Sequence, residues 1–161
     1  MNAPALASIA RDKYRKAAEQ GSTIAQFNLG VMYGRGRGVP QDYAEAANWY
    51  RKAAEQGDDV AQYNLGVSYA DGMGVTQDYG VAVDWYLLAA EQGNARAQFT
   101  LGHMYKNGNG VIQDDIFAHM WFNISNANGR ARGSRDRGVV EERMTREQIR
   151  TPLIAAPPEA T

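Results

Sequence analysis

Gly21, Gly57 and Gly93 stand 36 residues apart, and each opens the same run of residues. Ala25-Gln26-Phe27-Asn28-Leu29-Gly30 returns as Ala61-Gln62-Tyr63-Asn64-Leu65-Gly66 and again as Ala97-Gln98-Phe99-Thr100-Leu101-Gly102. Tyr33, Gly36, Gly38, Val39, Asp42 and Trp49 keep the same register in all three copies. A period of this length marks a repeat chain, in which no unit buries its core alone and neighbouring units bury it between them. One elongated domain is therefore expected from the 161 residues and their 44% hydrophobic content.

Within a unit the residue chemistry spells two helices. Ser22, Asp58 and Asn94 follow the repeated glycines, the order expected where one helix ends on a left-handed glycine and the next begins on a side-chain cap. Ala25, Leu29, Met32 and Tyr33 recur at helical spacing and predict one apolar stripe, with Gly30 permitting close approach of the next helix. This first helix is helix A. Gly36-Arg37-Gly38-Val39-Pro40-Gln41 interrupts it, since the glycines favour positive φ and proline lacks a donor. Asp42 then caps helix B, with Glu45 three residues on to complete a capping box, and Ala46, Trp49, Tyr50, Ala53 and Ala54 supply its apolar face.

The chain starts on a helix B, because residues 14–21 repeat residues 50–57 almost letter for letter. Beyond Gly129 the pattern fails: Gly133, Arg137 and Glu141 fall where Ala25, Leu29 and Tyr33 predict small or apolar residues. The expected organisation is one repeat domain over 1–150. It comprises a half repeat at 1–21, full repeats at 22–57, 58–93 and 94–129, and a C-terminal cap at 130–150. Thr145 and Gln148 can cap a last short helix, and the Ala/Pro-rich residues 151–161 read as a disordered tail.

The string Ala-Gln-Phe-Asn-Leu-Gly-x-x-Tyr, then Gly-x-Gly-Val-x-Gln-Asp, then Ala-x-x-Trp-Tyr-x-x-Ala-Ala-Glu-Gln-Gly resembles the Sel-one-like repeat, a relative of the tetratricopeptide repeat. Arg135-Asp136 followed by Met144 to Ile149 also resembles the terminal cap of bacterial members, and departs from it at Thr151-Pro152. The resemblance implies an all-α, right-handed α/α superhelical solenoid that acts as a noncatalytic adaptor for a protein or peptide. The family's cysteine-rich branch, linked to penicillin-like compounds and peptidoglycan, is not matched, because this chain has no cysteine.

In the related tetratricopeptide fold, helix A lines a concave groove. The matching positions here are Ile24, Phe27, Val31 and Arg35; then Val60, Tyr63, Val67 and Asp71; then Arg96, Phe99, His103, Lys106 and Asn107. They run from apolar to polar and basic, which suits a peptide with an apolar end and an acidic end. Phe27, Tyr63 and Phe99 also fit plain packing between helices; Val67, His103 and Lys106 vary between units and are the stronger binding candidates. Helix B offers a second surface, because Arg51-Lys52 gives way to Leu87-Leu88, and Glu45 to Val81 and Phe117. Val81, Leu87, Leu88 and Phe117 read either as a homodimer or partner patch or as a surface that the cap folds over.

Other chemistry is thin. Lys plus Arg (17) against Asp plus Glu (18) gives a net charge of −1 and a pI near 6.1, which disfavours generic nucleic-acid binding. Absence of cysteine removes disulfides, thiol nucleophiles and cysteine-ligated zinc. Gly34-Arg35-Gly36-Arg37-Gly38 lacks the Lys-hydroxyl ending of a phosphate loop. His103 and His119, the two histidines, have no carboxylate at zinc-helix spacing, so neither metal nor cofactor is expected. Asp114-Asp115 reads as a helix cap, and Arg130, Arg132, Arg135 and Arg137, interspersed with acids, read as a solvated cap. No apolar run reaches membrane-spanning length, and Met1 to Ala10 lacks the layout of a secretion signal. The default expectation is cytoplasmic, or periplasmic or secreted if a leader has been removed. Two rivals to the adaptor reading stand beside it: cell-wall glycan or peptide recognition with weak hydrolysis, and a self-associating structural unit.

Overall fold

Two end devices, each recurring every 36 residues, cut the chain into helices. At the corner from helix B to helix A, Gly21, Gly57 and Gly93 take φ near 90°, a conformation glycine alone adopts cheaply. The next residue's amide then donates back to the dying helix, as Ser22 to the Ala17 carbonyl (3.0 Å), Asp58 to Ala53 (3.2 Å) and Asn94 to Ala89 (3.1 Å). The same residue's side chain starts the new helix: Asp58 Oδ1 accepts from the Ala61 amide at 2.7 Å, and Asn94 Oδ1 from Ala97 at 3.1 Å. One residue therefore closes one helix and opens the next.

At the loop from helix A to helix B, Asp42 Oδ1 accepts from the Ala44 and Glu45 amides, and Asp114 Oδ1 from Ile116 and Phe117. The capping box expected at Asp42 and Glu45 is not completed. The Asp42 amide, which Glu45 would have had to accept, donates to the Tyr33 carbonyl at 3.0 Å, as Asp78 does to Tyr69 and Asp114 to Tyr105. That bond draws the start of helix B back against the end of helix A.

The computed structural model describes residues 3–130 and 133–150; the tail expected at 151–161 lies outside them. Nine helices and no strands appear among the described residues, gathered into two compact units within Met1–Asp78 and Tyr79–Thr161. The first holds α1 (Ala3–Glu19), α2 (Thr23–Arg35), α3 (Tyr43–Glu55) and α4 (Asp59–Asp71), each packed on the next. The second holds α5 (Tyr79–Glu91), α6 (Ala95–Asn107), α7 (Asp115–Ala127), α8 (Gly133–Glu141) and the short α9 (Arg146–Arg150), with α5, α6, α7 and α8 packed in succession. Thus α2, α4 and α6 are A helices and α1, α3, α5 and α7 are B helices. Among the described residues no helix is long and apolar enough to cross a membrane.

In the first unit Ala18, Ala25, Leu29, Tyr33, Val39, Ala46 and Trp49 form one buried cluster. Helices α2 and α3 approach at Gly30, where an added Cβ would lie 2.5 Å from the Tyr50 ring. In the second unit Leu101, Met104, Tyr105, Phe122 and Val140 are buried, and a Cβ on Gly102 would lie 2.5 Å from Phe122. Gly74 and Gly110 bring their loops onto the backbones of Tyr43 and Tyr79, which a side chain there would strike. The buried glutamine of each unit reaches the preceding helix B: Gln26 Nε2 donates to the Ala18 carbonyl (3.1 Å), Gln62 to Ala54 (3.2 Å) and Gln98 to Ala90 (2.9 Å). These carbonyls belong to the last turn, where each also accepts the amide of the corner glycine, Gly21, Gly57 or Gly93.

Helix α8 takes the place of a fourth A helix although its letters differ. Gly133 lies in the Ala25 register, and a Cβ there would come within 2.8 Å of the Phe122 carbonyl. Arg137 and Glu141 turn towards α7: Arg137 donates to Asn123 Oδ1 (3.1 Å) and pairs with Glu141, which meets His119 Nε2 at 2.9 Å. Thr145 and Gln148 form the expected reciprocal cap on α9, at 2.8 and 3.2 Å.

One substitution of the repeat leaves a mark. Arg15 donates to the Tyr33 hydroxyl (2.5 Å) and Arg51 to Tyr69 (2.8 Å), but Leu87 replaces the arginine and the Tyr105 hydroxyl is buried with no hydrogen-bond partner among the described residues. Burial, and then the charge of Asp114, push the Tyr105 pKa up. Tyr69→Phe should therefore cost about 1 to 2 kcal/mol by losing a charged donor's bond, while Tyr105→Phe should be neutral or stabilising. Urea midpoints of the two variants should differ in that sense, and equal losses would refute the assignment.

Candidate functional site

The positions that match the tetratricopeptide groove fall into two chemically different sets. In the first unit Ile24 is 73% exposed in the first turn of α2, and Val60, its counterpart on α4, is 38% exposed. Phe27, Val31, Tyr63 and Val67 follow at half-buried positions, and Arg35 and Asp71 end their helices exposed. Phe27 leans on Tyr50, ring centroids 6.0 Å apart, so it packs and contributes surface at once. Helices α2 and α4 both bury their opposite sides against α3, where Leu29 and Leu65 are inaccessible. What remains outward on each includes an aliphatic and aromatic set, Ile24, Phe27 and Val31 on α2 and Val60, Tyr63 and Val67 on α4.

In the second unit Arg96 and Asn107 are exposed, but Phe99, His103 and Lys106 are already engaged. Arg130 lies over the Phe99 ring at 4.7 Å, and His103 meets Phe99 and Phe122 edge to face at 4.7 and 5.2 Å. Asp136 of α8 faces both His103 Nε2 (3.6 Å) and Lys106 Nζ (3.8 Å). The basic end expected for an acidic ligand group is thus met by the chain's own carboxylate. Burial holds the His103 pKa below its ordinary value of 6.5, with Asp136 opposing and Lys106 and Arg130 assisting the shift. Beside this cluster Phe99, Arg135, Asp136 and Val139 line a hollow of about 630 Å³. Asp136 and Arg130 were not singled out as site residues from sequence; the failing repeat letters after Gly129 hid that α8 keeps the place of an A helix.

The second candidate surface does not form one outward patch. Leu88 is 45% exposed on α5 and Leu87 is half-buried. Phe117 on α7 is turned inward, its ring 5.2 Å from that of Tyr105, and Val81 is half-buried. Glu141 and Arg137 of α8 contact His119 and Asn123 of α7, not the four residues of this surface, and Leu88 stays open among the described residues. A separate hollow of about 520 Å³ in the first unit is lined by Arg15, Glu45, Trp49, Arg51, Lys52 and Glu55 among others, with Lys52 Nζ 4.1 Å from the Trp49 ring centroid. Its charges alternate in sign. No cluster of three or more metal-ligating side chains occurs among the described residues.

Known proteins place this geometry. The Sel1 repeat family model matches residues 14–22, 23–58, 59–94 and 95–129. Among solved structures, a protective antigen of uropathogenic Escherichia coli with an SLR fold is 44% identical over 82% of this chain, with a TM-score of 0.80. A Sel1 repeat protein from Oxalobacter formigenes is 38% identical over 74% of the chain, with a TM-score of 0.72. The chain spans 28% and 49% of the lengths of these two proteins. Cysteine-rich protein B of Helicobacter pylori shares the fold at 21% identity and a TM-score of 0.60, over 77% of this chain and 94% of its own. No curated protein matches the chain.

Because Asp136 is the leading influence that raises the His103 pKa, its removal leaves only effects that lower it. Asp136→Asn should move the His103 titration, followed by NMR of the imidazole, to lower pH. The neutral ring is the form the fold favours, so its stabilising contribution is present above the unfolded pKa and is lost as pH falls below it. An unmoved titration would show that the Asp136 contact does not persist in solution.

Proposed function

Because this chain belongs to the Sel1 repeat family, whose members generally mediate protein–protein interaction and are typically noncatalytic scaffolds, we propose that it binds a protein or peptide segment through the outward faces of α2 and α4. The observation that carries this reading is the exposure of Ile24 and Val60 at the same position of successive repeats, with Phe27, Val31, Tyr63 and Val67 beneath them. Apolar side chains left on repeated helix faces lower the free energy of a ligand that covers them, at about 25 cal/mol for each Å² removed from water. The corner glycines, the Asp42, Asp78 and Asp114 caps and the buried glutamines recur in every unit, whereas the Ile24 and Val60 position becomes Arg96 and the Val31 and Val67 position becomes His103; constancy holds the scaffold and variation sets the partner. The counterpart positions of α6 have Asp136 and Arg130 as neighbours, so an apolar ligand segment is assigned to the first unit.

Selection of random peptides against the chain should enrich apolar-anchored sequences. Their affinity should fall about tenfold to a hundredfold in Ile24→Glu/Val60→Glu, corresponding to about 1 to 3 kcal/mol of lost anchor contacts. Both residues are exposed, so the variant should melt with the wild type. Equal affinity of a folded double variant would move the site elsewhere.

A further inference from the structure

We propose that the second unit holds a binding site of its own, for a peptide carboxylate seated beside an apolar side chain, in the hollow bordered by α6 and α8. The inference rests on the reading of the chain as a peptide binder, and not on the α2 and α4 faces. Phe99 of α6 and Arg135, Asp136 and Val139 of α8 line this hollow of about 630 Å³. Its α8 wall is held from behind, since Val140 is fully buried and a Cβ on Gly133 would meet the Phe122 carbonyl at 2.8 Å. Arg135 and Val139 are both exposed and stand four residues apart, on one face of that helix. A guanidinium, an isopropyl group and the Phe99 ring therefore border the same space.

Charge gives the hollow its selectivity. Arg130, over the Phe99 ring at 4.7 Å, stands in the register of Ser22, Asp58 and Asn94, whose side chains cap the helices that follow them. Arginine has no acceptor and cannot cap a helix in this way. The repeat has exchanged a cap for a cation at this corner. Neither Arg130 nor Arg135 makes an ion pair among the described residues, and the Arg130 Nε is buried there without a hydrogen-bond partner. Arg137, on the same helix as Arg135, is by contrast paired with Glu141. Asp136, the one carboxylate among the lining residues, faces His103 Nε2 at 3.6 Å and Lys106 Nζ at 3.8 Å. It offsets one of the three cations Lys106, Arg130 and Arg135, and positive charge is left over for a ligand.

A carboxylate entering beside Asp136 is drawn by the two unpaired arginines and repelled by Asp136 itself. Asp136 is thus the chain's own competitor for the site and limits its affinity. Phe99 and Val139 select what accompanies the charge. An inorganic anion would leave their apolar surface in water, whereas a carboxylate with an apolar neighbour covers the ring and the aliphatic group while meeting the arginines.

Peptide selection tests the site apart from the α2 and α4 faces when it is run on the full chain carrying Ile24→Glu/Val60→Glu. Random linear peptides enriched on that variant should carry Asp or Glu next to an apolar residue. One enriched peptide is then followed by fluorescence anisotropy. Arg135→Glu, at an exposed position, should weaken its binding about tenfold or more, whereas Arg37→Glu, an equal charge change at an exposed position of the first unit, should leave it unchanged. Asp136→Asn should tighten binding about threefold or more, because it removes the competitor. Replacing the peptide's acid by its amide should weaken binding about tenfold. Enrichment of no peptides or of apolar peptides alone would overturn the proposal, as would equal losses in the two arginine variants, an amide twin that binds as well, or weaker binding to a folded Asp136→Asn chain. Apolar peptides that bind the wild type and are lost from the Ile24→Glu/Val60→Glu variant, with no acidic peptides on it, would overturn this site and leave the α2 and α4 reading standing.

Discussion

In the α2/α3 and α6/α7 pairs the separation is governed by a glycine facing a ring. Glycine in a helix interior costs about 1 kcal/mol relative to alanine. A Cβ forced 2.5 Å from Tyr50 or Phe122 would cost more, about 1 to 3 kcal/mol of overpacking. The steric term wins, and glycine recurs at each A helix. That close approach lets Leu29 and Leu101 reach zero exposure, and it turns the opposite sides of the A helices outward. The outward face proposed to bind a partner is thus a consequence of how the inward face packs.

Polar closure is the second requirement. A chain with a helix end every few turns exposes many orphan amides and carbonyls, and each repeat satisfies them with the same few bonds. Corner residues such as Asp58 serve both adjoining helices, Gln62 supplies the Ala54 carbonyl, and the Asp78 amide reaches the Tyr69 carbonyl. With the scaffold held by these groups, surface positions can change without loss of fold. Replacement of arginine by Leu87 reaches further inward, since it leaves the Tyr105 hydroxyl without a hydrogen-bond partner among the described residues.

Much of this was legible in the residues themselves. Period, corner glycines, side-chain caps and the close approach at Gly30 all follow from letters that recur in register, because each reports a local steric or hydrogen-bonding demand. The Thr145 and Gln148 cap was equally local and equally readable. Tertiary partners were not. Nothing in the spacing of Asp42 and Glu45 reveals that the Asp42 amide is taken by Tyr33. Nor does the run of charges after Gly129 reveal that Asp136 meets His103 and Lys106, or that Glu141 meets His119. Core positions filled with polar residues obscured a helix whose place in the repeat is intact. The inward turn of Phe117 was likewise invisible, since an apolar residue at a variable position reads the same whether it faces solvent or a neighbouring ring.

The most direct test of the account is residue-resolved NMR of the chain titrated with a peptide selected for binding. Shift changes centred on Ile24, Phe27, Val31, Val60, Tyr63 and Val67, with the buried alanines of α3 nearly unmoved, are the predicted result. Changes centred on Leu88, or on the charged hollow around Trp49, with the α2 and α4 faces unaffected, would contradict it.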